Sequence, residues 1–257
     1  MIAPAPLLIA DAGPVRTLTL NRPDRRNALD PALIEALDAA IADAEAQAGV
    51  GCLVLAGAGK SFCAGADLQY FLTLADAPSG PTEFLRRVSA VVTRLERSRL
   101  PVVAAVHGHA VAGGLELALA CDVVVASDDA LIGDGHIRKN LLPAAGSSVR
   151  LPRKVGDSMA RWLALTGTLL PAEELRFTGW LHAVVPPAEL TDTASALAAE
   201  LAAAAGPAQS AFKSLLHSLT GMHEEDGLAT ELVDFERHWN SADVPAVLTA
   251  FLHDRPA

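Results

Sequence analysis

The apolar and polar positions of the chain change period several times, and each change predicts an element. Val15-Arg16-Thr17-Leu18-Thr19-Leu20 alternates with the two-residue period of a half-buried strand. It runs into a turn at Asn21-Arg22-Pro23-Asp24. Asp30 then offers an N-cap and Pro31 suits the first position of a helix. That helix places Leu33, Ile34, Leu37 and Ile41 on one face and stops near Gly49. Cys52–Ala56 reads as a short buried strand, and Gly57-Ala58-Gly59-Lys60 as a turn. Residues 70–82, with Pro78, Ser79, Gly80 and Pro81, read as a loop, and helix resumes through Val88–Leu95. Pro101–Val106 is a strand, Gly113–Cys121 a short helix and Val123–Ala126 another strand. Strands alternating with helices predict an α/β domain.

From Gly146 onward the strand signal is weak. Gly156-Asp157 opens a helix through Leu165, Pro171 starts another, residues 189–205 form an Ala-rich helix, and Gly206-Pro207 breaks it. Beyond Met222 the chain reads as charged amphipathic helices that pack through Leu232, Phe235, Trp239, Val247, Leu248 and Phe251. No internal sequence repeat is evident. The expected division is a core over residues 1–190 and a C-terminal helical region over 191–257.

About half of the 257 residues are apolar, enough for one sizeable core. The formal charge of −10 argues against nucleic acid or an anionic membrane as a partner. Residues 102–125 are rich in Val, Ala and Leu, yet His107, His109, Glu116 and Asp122 within that run exclude a spanning helix. Cys52, Cys63 and Cys121 lie in apolar runs without metal-ligand spacing, as buried thiols of a reducing compartment do. Met1-Ile2-Ala3-Pro4 lacks the basic start of a signal peptide. A cytoplasmic protein without a metal is the expectation.

Two segments share one design: a strand, a turn of small residues, then a helix. The first runs from Leu53-Val54-Leu55 to Ser61-Phe62-Cys63-Ala64-Gly65-Ala66-Asp67-Leu68. The second runs from Val102–Val106 through His107-Gly108-His109-Ala110-Val111-Ala112 to Gly113-Gly114-Leu115-Glu116. Small residues let a ligand approach the main chain, and N–H groups at a helix start attract negative charge. Two such groups on one oxygen would form an oxyanion hole. Spacing alone favours close packing, the commoner reason for a glycine-rich helix start.

These stretches, with Asn21-Arg22-Pro23, Asn27-Ala28-Leu29, Cys121-Asp122, Leu142-Pro143-Ala144-Ala145-Gly146 and Ala250-Phe251-Leu252, resemble the crotonase superfamily, the enoyl-CoA hydratase/isomerase family. The resemblance runs in order along nearly the whole chain. It implies a crotonase-like spiral of ββα units with a C-terminal helical region used in assembling a homotrimer or a dimer of trimers. It implies an acyl-CoA thioester substrate, coenzyme A being part of that substrate and no cofactor being held permanently. It places the thioester oxygen between the N–H groups of Ala66 and Gly113. It sets Arg25, Arg26, Ala28, Ala64, Asp67 and Leu68 along the CoA path, with Lys213 and Arg255 as further phosphate candidates.

Glu116 sits on a helix otherwise built of Gly, Leu and Ala, surroundings that raise a carboxyl pKa toward the range useful for proton transfer. It matches one of the two glutamates of the hydratases. The position of the second holds His136. A Glu/His pair can hold one water, with imidazole as base or acid. The resemblance implies hydration of a 2-enoyl-CoA. Double-bond isomerisation, hydrolysis of a carbon–carbon bond beside a ketone, and acyl-CoA binding without turnover are the alternatives. The branch that cleaves β-diketones relies on an Asp where this chain has Ala145. Asp134, two residues before His136, could orient the imidazole or cap a turn, and beside Gly135 the turn is the commoner role. Asn140 stands where the family has glycine and suits the same left-handed backbone.

Overall fold

The computed structural model describes residues 4–204 and 206–253. The main sheet has six strands: β1 (Leu7–Ala12), β2 (Val15–Leu20), β3 (Cys52–Gly57), β4 (Val102–Val106), β6 (Val123–Ser127) and β9 (Leu181–Val185), in the order β1-β2-β3-β4-β6-β9. β1 pairs antiparallel with β2, and the remaining neighbours are parallel. A second sheet joins β5 (His109–Val111), β7 (Leu131–Gly133) and β8 (Leu170–Pro171). The first unit also contains α1 (Pro31–Ala46), α2 (Leu68–Thr73), α3 (Thr82–Arg97), α4 (Gly113–Leu119), α5 (Ser147–Val155), α6 (Asp157–Thr166), α7 (Ala172–Leu175) and α8 (Leu190–Ala203).

Both faces of the central strands are covered, which explains their continuous apolar runs. On β3, Leu53 and Leu55 pack into the larger core with α1 and α3, while Cys52 and Val54 point to the opposite face. There they meet Leu190, Ala194, Ala198 and Ala202 of α8. Val102, Ala104 and Val106 of β4 join the first layer, and Val103 and Ala105 the second. The Ala-rich stripe of α8 permits close approach to the sheet.

The spiral lies in how the strands pair. β4–β5–α4 is followed by β6–β7–α5, and the first strands of these turns neighbour each other in the main sheet. Their second strands, β5 and β7, pair in parallel in the small sheet. An earlier turn has the same form, because Cys63, after β3, makes a parallel bridge to Ala110 of β5. The fold is thus the α/β spiral of ββα units, although the units share no visible sequence repeat.

Several boundaries differ from expectation. Asp30 and Pro31 start α1 as predicted, the Asp30 carboxylate accepting the Leu33 N–H at 2.9 Å. The stretch expected as loop contains α2, started by Asp67, and α3 begins at Thr82 rather than near Val88. β1 and β9 were invisible to periodicity, and both lie at sheet edges. The compact units divide between Ala203 and Ala204 instead of 190 and 191, since α8 is committed to the sheet.

The second unit contains α9 (Pro207–Ser218), α10 (Glu224–Ser241) and α11 (Val244–His253). Neither α10 nor α11 buries a residue. Leu232, Phe235, Trp239, Val247, Leu248 and Phe251, expected as packing residues, are exposed in the single chain. Among the described residues no helix is long and apolar enough to cross a membrane.

Candidate active site

The segment from Ser61 to Asp67 is stitched between two others. On one side Leu29 donates to the Gly65 carbonyl at 2.8 Å, and Asp67 N–H donates to the Leu29 carbonyl at 2.9 Å. On the other, Phe62 and Cys63 donate to the carbonyls of His107 and His109, and Val111 donates back to Cys63. Asn27 anchors the first seam. It is buried in a left-handed conformation (φ 55°), and its amide nitrogen reaches the carbonyls of Ala58, Ser61 and Phe62 at 2.7–3.1 Å. Asparagine supplies both the tolerated backbone and the donors.

This stitching brings the two strand-to-helix junctions together. A Cβ built on Gly113 would lie 3.3 Å from Gly65 Cα and 3.6 Å from the Ala66 nitrogen; one built on Gly65 would lie 3.3 Å from the Gly113 nitrogen. Gly113 opens α4, so its N–H has no intrahelical acceptor. No hydrogen-bond acceptor is found for either N–H among the described residues. The residue between β5 and α4, Ala112, has φ 52° and ψ −115°, a conformation that costs a non-glycine residue about 1–3 kcal/mol. That strain turns the chain sharply enough to start α4 beside Ala66.

Glu116 is one turn further along α4 and only 3% exposed. Its Oε1 accepts the N–H groups of Ala145 (2.8 Å) and Ser147 (3.0 Å), while Oε2 has no protein donor. Burial pushes the Glu116 carboxyl above its ordinary value; the Ser147 and Ala145 donors and the charge of His136 pull it back only partly. His136 begins a short 3-10 turn after β7. Its Nδ1 lies 3.0 Å from Asp134 Oδ1, and the Ser147 hydroxyl donates to Asp134 Oδ2 at 2.5 Å. Burial opposes charging His136, but the Asp134 carboxylate and then Glu116 outweigh it, so its pKa is raised. Burial acts upward on Asp134 too, and its bonds from His136 and Ser147 more than reverse it. Asp134, expected as a turn residue, therefore also orients the imidazole, leaving Nε2 as the ring nitrogen available to a ligand.

Ala64, Ala66, Leu68, Gly113, Glu116 and His136 line one cavity of about 270 Å³ whose other walls include Leu29, Phe71, Leu85, Val88, Leu141 and Leu169. Arg25, Arg26, Ala28 and Asp67 do not line it. Arg25 and Arg26 are exposed, and Arg25 donates to Gln69 at 2.5 Å. The Ala28 carbonyl accepts from Arg22. Asp67 is occupied: its Oδ1 accepts the N–H groups of Gln69 and Tyr70, and its Oδ2 meets Arg22 at 2.9 Å. Asp67, which the resemblance sets on the CoA path, is thus held in a clamp in which Arg22 also meets Asp30 at 3.0 Å. Lys213 lies on α9 in the second unit, and Arg255 falls outside the described residues. Cys63, beside the cavity, is an unreactive thiol, pushed up to about 12 by burial. Asn140 adopts φ 55° as expected.

The spiral and this paired-junction cavity define a crotonase-fold protein. The enoyl-CoA hydratase/isomerase family matches residues 11–257, and the chain belongs to that family. A Rhizobium meliloti protein named "Probable enoyl-CoA hydratase" is 35% identical, over 98% of this chain and 96% of its own. The short-chain-enoyl-CoA hydratase of Clostridium acetobutylicum is 32% identical over 97% and 95%. The crystal structure of an enoyl-CoA hydratase from Bacillus anthracis superposes with a TM-score of 0.89 at 30% identity, covering 97% of each chain.

Proposed function

We propose that this chain hydrates 2-enoyl-CoA thioesters, with Ala66 and Gly113 as the oxyanion donors and Glu116 and His136 as the proton carriers. The observation that carries the reading is the meeting of two acceptorless N–H groups beside a buried Glu116 and a half-buried His136 in one largely apolar cavity. The thioester oxygen sits between the two amides, and the double bond faces Glu116 and His136. A carboxylate with a raised pKa is the stronger base, so Glu116 takes a proton from water as the hydroxyl adds to the β-carbon. Negative charge then collects on the thioester oxygen, where the two amides stabilise it. Imidazolium, favoured by Asp134, delivers a proton from Nε2 to the α-carbon. Transfer of the proton from Glu116 back to His136, through solvent, completes the cycle.

The CoA portion follows the Arg25–Ala28 turn and the Ala64–Leu68 segment, with Arg25 and Arg26 at its anionic end and Asp67 holding the path through Arg22. The exposed apolar stripe of α10 and α11 supports assembly through residues 191–257 into a trimer or a dimer of trimers. Three buried thiols fit a cytoplasmic setting.

The test is turnover of an enoyl-thioester panel with product mass, for the parent and for Glu116→Gln and His136→Gln separately. A gain of one water, lost in both variants while thioester binding persists, is the expected result. A product of unchanged mass would replace the reading with isomerisation, and an inert parent that binds thioesters would replace it with a binding protein. The Asp134–His136 dyad favours one second reading, water attack on a ketone with imidazole as base; cleavage of a β-diketone by the parent would establish it.

A further inference from the structure

Arg150 is a buried cation behind the cavity, contributed by α5, and it does not line the cavity. Its Nη2 meets Glu96 Oε2 at 2.6 Å and Thr93 Oγ1 at 3.3 Å, both on α3. Its Nη1 donates to the Ala145 carbonyl at 2.7 Å. Its Nε is buried without a partner. A buried ion pair is weak evidence for stability, because apolar residues of similar size often serve as well. An idle buried donor makes stability a poorer explanation still.

What the guanidinium touches is more informative. Residues 145–147 carry every backbone donor to Glu116, through the Ala145 and Ser147 N–H groups. The same segment carries the Ser147 hydroxyl that holds Asp134, and Asp134 holds His136. Between them lies Gly146 at φ 113°, a conformation favouring glycine. The guanidinium fills the space beside it so closely that a Cβ on Gly146 would stand 1.8 Å from Nη1. Arg150 therefore ties this turn to α3, whose Leu85 and Val88 line the same cavity.

We propose that Arg150 is a positioning residue for both proton carriers, fixing Glu116 and the Asp134–His136 pair through the backbone of residues 145–147. The proposal rests on the roles given to Glu116 and His136 above. It acts through another group, so its signature is a change in how the carriers titrate and turn over, with binding left alone.

The test compares the parent with Arg150→Met, Arg150→Lys and Glu96→Leu in thermal melts, steady-state kinetics and carboxyl titration by 13C NMR, the Glu116 signal being assigned by its loss in Glu116→Gln. Free of its fixed donors, the Glu116 carboxylate is less stabilised, so its titration moves further up in Arg150→Met. kcat falls about tenfold or more while KM stays within about threefold. Arg150→Lys, with one donor able to reach Ala145, recovers part of both effects. Should Arg150→Met fail to fold, Glu96→Leu carries the test, with a smaller upward shift expected. Titration curves of Glu116 that coincide with the parent in the folded variants would overturn the proposal. So would a fall in kcat matched by an equal fall in the folded fraction. The titration needs no turnover, so a parent inert toward every thioester would sink the hydratase reading and still leave this one decided.

Discussion

Gly114→Ala isolates the convergence on which the site depends. Gly114 is the second residue of α4, and a Cβ there would stand 2.1 Å from the Cys63 carbonyl oxygen, 2.8 Å from its carbon and 2.9 Å from Cys63 Cβ. Ordinary contact begins at 3.4 Å, so the shortest approach falls short by 1.3 Å. Cys63 cannot yield cheaply, being bonded through its nitrogen to His109, through its carbonyl to Val111 and through Sγ to Asn27. The start of α4 has to move instead, and Gly113 moves with it. An oxyanion donor works within a window of about 0.4 Å, from 2.7 to 3.1 Å. A displacement near 1 Å removes the Gly113 N–H from the oxygen, at about 10²–10³ in kcat. Overpacking costs about 1–3 kcal/mol of stability as well. The assay is initial-rate hydration of crotonyl-CoA, beside a thermal melt and a thioester-binding isotherm. Gly49→Ala is the control, because its Cβ meets nothing within 4 Å. A folded Gly114→Ala enzyme with kcat within about threefold of Gly49→Ala would refute the account of the oxyanion hole.

Glu116→Gln abolishes hydration yet stabilises the fold at neutral pH. The folded-state pKa of Glu116 is raised above 4.5, so ionising it costs stability progressively as pH rises through and above that value. The melting temperature of the variant should exceed the parent's near pH 8 by more than near pH 4; an equal difference at both would show that burial is not the cause. Asp134→Asn acts oppositely. The folded pKa of Asp134 is lowered, a contribution present above 3.8 and lost as pH falls through the folded value; that of His136 is raised, a contribution present below 6.5 and lost as pH rises through the folded value. Losing the charge-assisted bond should cost about 1–2 kcal/mol in urea unfolding near pH 5 and less near pH 9, and a proton NMR titration of His136 should move down. Ala112→Gly relieves the strained turn, and chemical unfolding should record a gain of about 1 kcal/mol; a loss would mean the conformation is unstrained.

The sequence pattern located what local chemistry dictates. Asp30 and Pro31 announce the start of α1 because capping is a two-residue event, and the buried strands Cys52–Gly57 and Val102–Val106 announce themselves by composition. β1 and β9 did not, since an edge strand such as β1, five of whose six residues are exposed, needs no apolar period. The spiral repeat is a repeat of pairing, visible in Cys63 meeting Ala110 and β5 meeting β7, and no side-chain pattern encodes it. Ala64, Ala66, Gly113, Glu116 and His136, which line one cavity, stood out in the sequence through stretches that resemble the family. Asn27, Arg22, Ser147 and Arg150 each also reach a partner 13 to 57 positions away, and only coordinates bring those partners near. Asp134 carried a signal, an acid two residues before a histidine, which admits a partner for the imidazole, but Asp beside Gly135 is commoner as turn chemistry and only the 3.0 Å contact separates the two.

The histidine at 136 is best understood through the charge it brings. Two glutamates facing one cavity can share a single proton, since like carboxylates so close do not both ionise readily, and such a pair carries one negative charge and one acidic proton. Here Glu116 and Asp134 are two carboxylates, and Asp134 raises the pKa of the imidazole it touches; with His136 protonated, the three groups also carry one net negative charge and one transferable proton. Asp134 favours that state, because partial burial by itself opposes charging the imidazole and the adjacent carboxylate reverses it. The imidazole and its aspartate are therefore one hydrogen-bonded unit, and the Ser147 backbone and hydroxyl join it to Glu116. A lone exchange of histidine for glutamate at 136 would leave three carboxyls around one water with no cation among them, so chemistry at this site belongs to the pair and to the turn that holds it.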